Sequence, residues 1–201
     1  MANAVIFDYG VGNLFSLKTA LEKAGLNTTI GTTAQELAKA DAIALPGVGS
    51  FTTAASKLNS VKETLQTKIK DGTPFLGICL GVQLFFEESE EGPGAGLSFF
   101  EGKNVQLPTT IKVPHMGWNT LNIVKSNELL EGVAEDTYVY FVHSLYPVPK
   151  DKSIVCTTTQ YGTTFTSAVV SKNIYGTQFH PEKSGDIGLK ILKNFVKTVV
   201  R

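Results

Sequence analysis

Long apolar runs, cysteines and histidines are scarce in this sequence. Its 201 residues include two cysteines, three histidines and one tryptophan. No segment approaches the roughly 20 apolar residues that span a bilayer, and the start, MANAVIFDYG, lacks the basic stretch and the apolar length of a signal peptide. We therefore expect a cytoplasmic protein, in which the thiols of Cys79 and Cys156 stay reduced and need not pair.

An excess of charge of either sign is also absent. Lysine plus arginine and aspartate plus glutamate each number 18, so the formal net charge is zero. Such a chain has no global field that would attract nucleic acid or an anionic membrane. It also has no C-x-x-C or H-x-x-H pair of the kind that binds metals. We predict no metal, no cofactor, no nucleic acid and no membrane partner; the expected ligand is a small molecule or a specific protein.

The chain length and an apolar content of 42% fit one globular domain, which we expect to span residues 1–201. The first half alternates short apolar runs with helical patterns, which is typical of βαβ units and a parallel sheet. A helix from Leu14 should end at Gly25, and Thr33 with Glu36 has the pattern of a capping box. Strands are predicted at 4–7, 27–30, 42–45 and 75–78, with helices after them, the one following Cys79 reaching about Glu88.

Beyond a glycine-rich loop at 92–96, the apolar runs are short and are separated by turn residues. We predict a final amphipathic helix around Ile191 that packs on the sheet. The predicted fold is α/β with three layers, a mostly parallel central sheet flanked by helices, and an antiparallel strand extension. The strands of that extension are predicted at 104–107, 111–113, 120–124, 137–142, 153–157, 167–170 and 174–179.

Cys79 lies at a predicted turn between a buried strand and a helix. Residues 77–81, Gly-Ile-Cys-Leu-Gly, form the cysteine version of the G-x-S-x-G nucleophile elbow. The sharp turn exposes the nucleophile, and a glycine two residues to either side lets the neighbouring backbone approach. A helix that begins after Cys79 would also direct its positive end at the sulfur and favour a thiolate. The alternative is a buried structural cysteine, a description that fits Cys156 in its strand-like run.

A thiolate nucleophile needs a base, and the candidates are His115, His143 and His180. His180 follows an apolar run at the expected end of a strand. Glu182 comes two residues later, where its carboxylate can fold back onto the imidazole and fix the tautomer. A surface turn could contain the same His-Pro-Glu sequence at 180–182. The prediction therefore depends on the presence of the nucleophile elbow in the same chain. We predict a catalytic triad of Cys79, His180 and Glu182.

An acyl-transfer site also needs N–H donors for the oxyanion. The backbone N–H of Leu80, directly after the nucleophile, is one candidate. The other lies in residues 46–49, Pro-Gly-Val-Gly, where Gly47 and Gly49 allow the backbone around Val48 to approach a ligand or to turn over. Without Cys79, the same segment would be an ordinary loop between a strand and a helix.

These pieces occur together in the class I (triad) glutamine amidotransferases, which this sequence resembles. Residues 77–83 are similar to the nucleophile segment of that family, and residues 179–182, Phe-His-Pro-Glu, are similar to its histidine segment. Within the family, the resemblance narrows to the glutaminase subunits of imidazole glycerol phosphate synthases. It does so through residues 8–13, 46–51, 114–119 and 140–144, which are spread over the chain.

The resemblance implies that the chain hydrolyses L-glutamine to glutamate and ammonia. Within a heterodimer, the ammonia would pass to a cyclase subunit with a (β/α)₈ barrel, which makes imidazole glycerol phosphate and AICAR in histidine biosynthesis. Gln83 and Glu91 would hold the amide and amino groups of glutamine, and the backbone around His143 and Ser144 its carboxylate. The loop at 46–49 would form the oxyanion hole only when the partner is liganded.

The resemblance also implies a surface that faces the cyclase. Trp118 would be an anchor of that surface, since tryptophan often carries much of the binding energy at an interface. A core position fits the same residue equally well. The partner-facing residues implied by the resemblance are Asn13, Met116, Trp118, Asn119 and Tyr140.

Other interpretations remain open. A glutaminase of pyridoxal phosphate or anthranilate synthesis would keep the triad and change the partner. A cysteine hydrolase of the peptidase or deglycase type typically has a histidine directly after the elbow cysteine, where this chain has Leu80. A dinucleotide-binding loop is suggested by Gly10 and Gly12, but Phe15 replaces the third glycine of that motif. A non-catalytic scaffold is the remaining alternative.

Overall fold

Four strands of the parallel half of the main sheet form where the sequence predicts them. The computed structural model describes residues 2–200, so Met1 and Arg201 of the predicted domain lie outside it. Within that range, five strands pair in parallel in the order β2-β1-β3-β4-β12. They are β1 Asn3–Phe7, β2 Asn27–Gly31, β3 Ala42–Leu45, β4 Phe75–Ile78 and the last strand, β12 Ile174–Thr177.

The same sheet continues past β12 as antiparallel strands in the order β11-β10-β7-β8. The predicted antiparallel extension is therefore confirmed. The assignment of residues 174–179 to this extension is wrong in part, because β12 pairs in parallel with β4 and antiparallel only with β11, so this strand joins the two halves of the sheet. The other members are β7 His115–Ile123, β8 Thr137–His143, β10 Val155–Tyr161 and β11 Thr163–Ser171.

A second, three-stranded sheet was not predicted, and the strand predicted at 104–107 belongs to it and not to the extension of the main sheet. The second sheet has the order β5-β6-β9, in which β5 pairs in parallel with β6, and β6 pairs antiparallel with β9. Its strands are β5 Phe86–Ser89, β6 Phe100–Gln106 and β9 Leu145–Pro149. The predicted strand at 111–113 is wrong, since these residues belong to a loop that turns between the carbonyl of Pro108 and the N–H of Ile111.

Six α-helices of the described chain complete the layers. The side chains of β1 alternate between two apolar cores: Ile6 packs with Leu21 and Phe195 on one face, and Val5 packs with Leu65 on the other. This arrangement confirms the three-layer prediction and the packing of the last helix on the sheet. The helices are α1 Leu14–Ala24, α2 Ala34–Ala38, α3 Phe51–Leu58, α4 Lys62–Lys70, α5 Leu80–Gln83 and α6 Gly185–Val199.

The predicted helix signals are also present. Gly25 ends α1 in the left-handed conformation, with φ of 115°, where a side chain would be strained. Thr33 and Glu36 form the capping box that begins α2, each side chain bonding to the backbone of the other residue. Among residues 2–200, none of the helices combines the length and the apolar character needed to cross a membrane.

Candidate active site

Cys79 lies in the sharp turn between β4 and α5. Its φ of 55° and ψ of −109° are strained for any residue other than glycine. The flanking glycines are required sterically: a Cβ on Gly77 would lie 2.4 Å from the Phe85 ring, and one on Gly81 would lie 1.9 Å from the carbonyl oxygen of Leu45. The elbow geometry inferred from the sequence is therefore present.

The helix after Cys79 is much shorter than predicted. It spans only Leu80–Gln83, and the chain then enters β5 at Phe86 instead of remaining helical to about Glu88. A single turn carries little of a helix macrodipole. The predicted contribution of a helix dipole at the Cys79 sulfur is therefore small.

The Cys79 sulfur is in contact with polar groups although the residue is only 5% exposed. Its Sγ lies 3.5 Å from the carbonyl oxygen of Val142, and the Nε2 group of Gln178 donates to Sγ at 3.6 Å. Gln178 was not singled out from the sequence. The available signal was a glutamine inside an otherwise apolar run, since its side chain is fully buried and so requires partners.

His180 and Glu182 form a buried pair. The Nδ1 atom of His180 lies 2.8 Å from Oε1 of Glu182, and the two side chains are only 3% and 5% exposed. Because the carboxylate can only accept, Nδ1 carries a proton and Nε2 is the atom that can exchange one. Within residues 2–200, Nε2 of His180 and Oε2 of Glu182 have no hydrogen-bond partner.

The electrostatic surroundings favour the protonated imidazole of His180. Burial lowers its pKa, but its interactions with Cys79 and with Glu182 outweigh burial and raise the pKa to about 9. A protonated His180 beside Cys79 suits a thiolate–imidazolium pair, in which the sulfur is the nucleophile and the imidazolium is the acid.

The main sheet places these residues side by side. Strand β12, which precedes His180, pairs in parallel with β4, which precedes Cys79, with Thr177 opposite Ile78. The Cys79 N–H continues this ladder by donating to the Thr177 carbonyl at 2.8 Å. The nucleophile and the histidine therefore follow the carboxyl ends of adjacent parallel strands, the usual location of ligand sites in such sheets.

The loop at 46–49 approaches the elbow from β3. The N–H of Leu80 donates to the carbonyl oxygen of Gly47 at 3.4 Å. Gly49 has φ of 116°, which leaves the backbone free to adopt orientations that other residues avoid. In this arrangement the loop presents a carbonyl to Leu80, so the Leu80 N–H that was predicted as an oxyanion donor is already engaged.

A cavity of about 440 Å³ opens beside Cys79. It brings together most of the predicted oxyanion and substrate residues; Gly47, His180 and Glu182 lie outside its lining. Its walls are also formed by Pro114, Val142 and Leu145. The predicted residues that line it are Val48, Gly49, Cys79, Leu80, Gln83, Glu91, His143 and Ser144.

The amide of Gln83 is oriented by two hydrogen bonds. Its Nε2 donates to the carbonyl of Leu145 at 2.9 Å and to Oε1 of Gln178 at 3.0 Å, which uses both of its N–H groups. The Oε1 atom of Gln83 is then the atom that can accept from an amide or ammonium group in the cavity. Glu91 receives the Phe51 N–H on its Oε2 at 2.9 Å.

His115 and His143 form a second buried pair. Nδ1 of His143 donates to the Leu145 carbonyl at 2.8 Å, so its Nε2 accepts from Nδ1 of His115 at 3.0 Å. Burial lowers the pKa of His115 to about 4 and that of His143 to about 3. Both rings are therefore neutral near pH 7 and are engaged in structural hydrogen bonds, which leaves His180 as the best-placed base.

Of the predicted partner-facing residues, Met116 and Trp118 of β7 and Tyr140 of β8 lie on one face of the sheet, whereas Asn119 is on the opposite face of β7 and Asn13 lies outside both strands. Trp118 is 55% exposed and Met116 is 62% exposed, and Trp118 lies opposite Tyr140 with the ring centroids 6.0 Å apart. The core position considered for Trp118 is therefore wrong. Asn119 donates to the carbonyl of Gln160 at 3.0 Å, and Asn13 caps the start of α1 by accepting the Ser16 N–H at 3.2 Å.

Comparisons with known proteins find similar sequences over almost the whole chain. A family model described as glutamine amidotransferase class-I matches residues 5–199. The chain is 51% identical over 195 residues to the imidazole glycerol phosphate synthase subunit HisH of Methanothermobacter thermautotrophicus, which covers 96% of this chain and 98% of that protein. It is 48% identical over 197 residues to the protein of the same name from Pyrococcus furiosus, covering 97% and 98%.

The fold also matches solved structures. A putative GMP synthase protein from Thermoplasma acidophilum superimposes with a TM-score of 0.78 and covers 100% of this chain and 94% of its own. Its sequence is only 22% identical. This structural similarity therefore shows the fold alone.

Proposed function

The chain belongs to the class I glutamine amidotransferase family, and on that premise we propose that it is the glutaminase subunit of an imidazole glycerol phosphate synthase in histidine biosynthesis. It hydrolyses L-glutamine to glutamate and ammonia. The observation that carries this proposal is the convergence of Cys79, Gln83, Glu91 and Ser144 on one cavity. His180, which is paired with Glu182, interacts with Cys79 in a way that raises the pKa of its imidazole.

The reaction begins with attack of the Cys79 thiolate on the amide carbon of glutamine. The C–N bond breaks, a γ-glutamyl thioester forms, and the protonated His180 gives its proton to the departing ammonia. His180 then takes a proton from water, whose oxygen attacks the thioester carbon; the C–S bond breaks, glutamate leaves, and the Cys79 thiolate and the protonated His180 are restored. Glu182 keeps the imidazole in the correct tautomer and stabilises its charged form in both steps.

Substrate binding uses the polar groups of the cavity. Oxygen Oε1 of Gln83 and the carboxylate of Glu91 accept from the amide and amino groups of glutamine. The backbone at His143 and Ser144 holds the substrate carboxylate. The amide orientation of Gln83 supports this assignment, because both of its N–H groups are already donated to Leu145 and Gln178.

The product ammonia passes to a cyclase subunit in a cytoplasmic heterodimer. The exposed aromatic and apolar side chains of β7 and β8 support a protein partner there, since Trp118 and Met116 are more than half exposed. The family resemblance adds Asn13, Asn119 and Tyr140 to the residues proposed for this contact. The cyclase uses the ammonia to make imidazole glycerol phosphate and AICAR, and the loop at 46–49 forms the oxyanion hole when that subunit is liganded.

The rival assignments have less support. Pyridoxal phosphate and anthranilate synthases would need the same triad, but the relatives at 51% and 48% identity are imidazole glycerol phosphate synthase subunits. In the peptidase or deglycase arrangement a histidine would follow Cys79, whereas the paired histidine of this chain is His180 and follows β12. The glutaminase assignment therefore accounts for both the site and the relatives.

The proposal is tested by replacing the nucleophile in the complex with the cyclase subunit of the same organism. With Cys79→Ala, glutamine-dependent synthesis should be lost, while synthesis from ammonium salts should continue at the wild-type rate. Cys156→Ala is the matched control, because it removes the other buried thiol and should retain glutamine-dependent synthesis. Glutamine-dependent turnover by Cys79→Ala would refute the assignment.

A further inference from the structure

Tyr9 has no part in the reaction described above, yet it lies against the loop that must supply the oxyanion donor. It follows β1 and is only 4% exposed, with its ring stacked on Phe7 at a centroid distance of 6.5 Å. Its hydroxyl donates to the carbonyl oxygen of Pro46. Burial and the nearby Cys79 raise the pKa of Tyr9 well above its usual range, so the phenol remains a proton donor.

The Tyr9 hydroxyl also limits the space around Gly47, the residue after Pro46. A Cβ placed on Gly47 would lie 2.6 Å from Oη of Tyr9 and 2.7 Å from Cβ of Leu80. Gly47 is thus held between these two side chains. In this position its carbonyl oxygen accepts the Leu80 N–H at 3.4 Å.

The arrangement that Tyr9 supports is unsuited to acyl transfer. An oxyanion beside Cys79 needs the Leu80 N–H and a second N–H from the loop, but the first is engaged by Gly47. Forming the hole therefore requires rotation of the peptide that carries the Gly47 carbonyl. Gly49, with its positive φ of 116°, gives the loop the freedom to accommodate that rotation.

The segment that carries Tyr9 connects the loop to the predicted partner face. Gly12 packs so closely on the loop that a Cβ there would lie 3.3 Å from both the Cα and the N of Gly47. Asn13, the next residue, is exposed and belongs to the surface assigned to the partner. A displacement of residues 10–13 by a bound partner would therefore reach both Tyr9 and Gly47.

We propose that Tyr9 is a positioning residue that holds the loop at 46–49 with the Gly47 carbonyl on the Leu80 N–H, and so suppresses glutamine hydrolysis until the partner shifts residues 10–13. This inference rests on the proposed glutaminase function and adds the residue that restrains it. Tyr9 acts on the equilibrium between two loop orientations and does not touch the reacting atoms. Removing its hydroxyl should therefore raise glutamine turnover by the chain alone. Turnover in the complex with the liganded partner should not change.

The test is Tyr9→Phe, which deletes the hydroxyl and keeps the ring. Glutaminase turnover of the chain alone should rise about two- to tenfold, the factor that corresponds to one net hydrogen bond. Turnover in the complex with the liganded cyclase subunit should stay at the wild-type value, so the stimulation factor should fall by the same two- to tenfold. Tyr175→Phe is the matched control: this tyrosine is equally buried, donates to Glu128, and should leave both rates unchanged.

Two further measurements distinguish this mechanism from general loosening of the structure. Hydrogen exchange at the Leu80 amide should accelerate in Tyr9→Phe, because that amide loses its Gly47 acceptor more often. Alkylation of Cys79 by iodoacetamide forms no oxyanion and should keep its wild-type rate. The proposal would be overturned if glutamine turnover by Tyr9→Phe alone were unchanged or lower, or if hydrogen exchange at its Leu80 amide were unchanged. If the wild-type complex itself did not hydrolyse glutamine, the proposed function would fail instead.

Discussion

The two cysteines lie in contrasting regions of one sheet. Cys156 is in the antiparallel strand β10, is 1% exposed, and directs its Sγ at the Ile154 carbonyl 3.5 Å away. Burial raises the pKa of its thiol to about 11. Cys79 is nearly as buried, yet it has a strained backbone, borders a cavity, and receives an N–H from Gln178. The two thiols differ little in exposure, so we expect any difference in their reactivity to come from backbone position and polar neighbours.

The largest expected effect comes from removing the negative charge of Glu182, which bonds to His180. Glu182→Gln should lower kcat for glutamine by about 10²- to 10⁴-fold, because the tautomer of His180 is no longer fixed and its charged form loses its partner. Steady-state turnover in the complex measures this. Glu135→Gln, a carboxylate bonded to the Ile123 N–H, is the control and should keep wild-type turnover. A loss of less than tenfold in Glu182→Gln would remove Glu182 from the triad.

The next effect compares the two thiols directly. The pKa of the Cys156 thiol is raised to about 11, so very little of it is ionised at pH 7.5, and little of the side chain is accessible. Iodoacetamide should therefore modify Cys79 at least about 10² times faster than Cys156. Mass spectrometry of the two peptides over time gives both rates. Equal rates would mean that the elbow confers no special reactivity.

A smaller effect concerns the side-chain N–H group that Gln178 directs at the Cys79 sulfur. Gln178→Leu removes the donor at 3.6 Å from Sγ. The alkylation rate of Cys79 should fall about tenfold, the scale of one hydrogen bond to a charged group. Asn194→Leu removes a buried amide that bonds to Leu129 and Glu131 and should leave alkylation unchanged, with thermal melts reporting any loss of stability in either variant. Unchanged alkylation in Gln178→Leu would eliminate this contact as a source of reactivity.

The smallest effect is in the pH profile. Because the pKa of His180 is raised to about 9, its protonated form predominates below that pH, and kcat/KM should be halved near pH 9 and fall about tenfold for each further unit. In Glu182→Gln the midpoint should move to lower pH, toward the ordinary value of 6.5, since one cause of the raised pKa is removed.

The same pKa shift affects stability. The contribution of the charged His180 is fully present below about pH 6.5 and is lost as the pH rises through about 9. Melting temperatures between pH 6 and 10 should therefore decline more steeply for the wild type than for Glu182→Gln. Melting temperatures that decline equally in the two proteins would contradict the assignment of His180. So would a fall of kcat/KM near pH 9 that remains in Glu182→Gln.

Local sequence signals predicted the elements that form the site. The glycines at 77 and 81 are needed for close backbone contacts, and the two-residue spacing of His180 and Glu182 allows a direct bond, so both features were readable. The length of α5 could not be predicted from local sequence signals. The apolar residues after Gln83 fit a helix, but Phe86 pairs with Phe100 in a second sheet, and such a long-range pairing leaves no local sign.

Two other errors have similar causes. Strand β9 contains Pro147 and Pro149, which argue against a strand, but it lies at the edge of the small sheet, where proline is tolerated. Residues 111–113 have the composition of a strand but have no strand to pair with, and they form a loop. Gln178 and Tyr9 were missed because their importance comes from contacts with Cys79 and Pro46, which are far away in sequence.

The pairing of β4 with β12 has a consequence for how the site is assembled. Cys79 and His180 are separated by about half of the chain, but backbone hydrogen bonds between two adjacent strands set their separation. The glycine-rich loop at 92–96 lies between them in sequence, and residues 93–95 are exposed. A chain cut in this loop would give one piece with the thiol and another with the base, so that catalysis itself would report their reassociation.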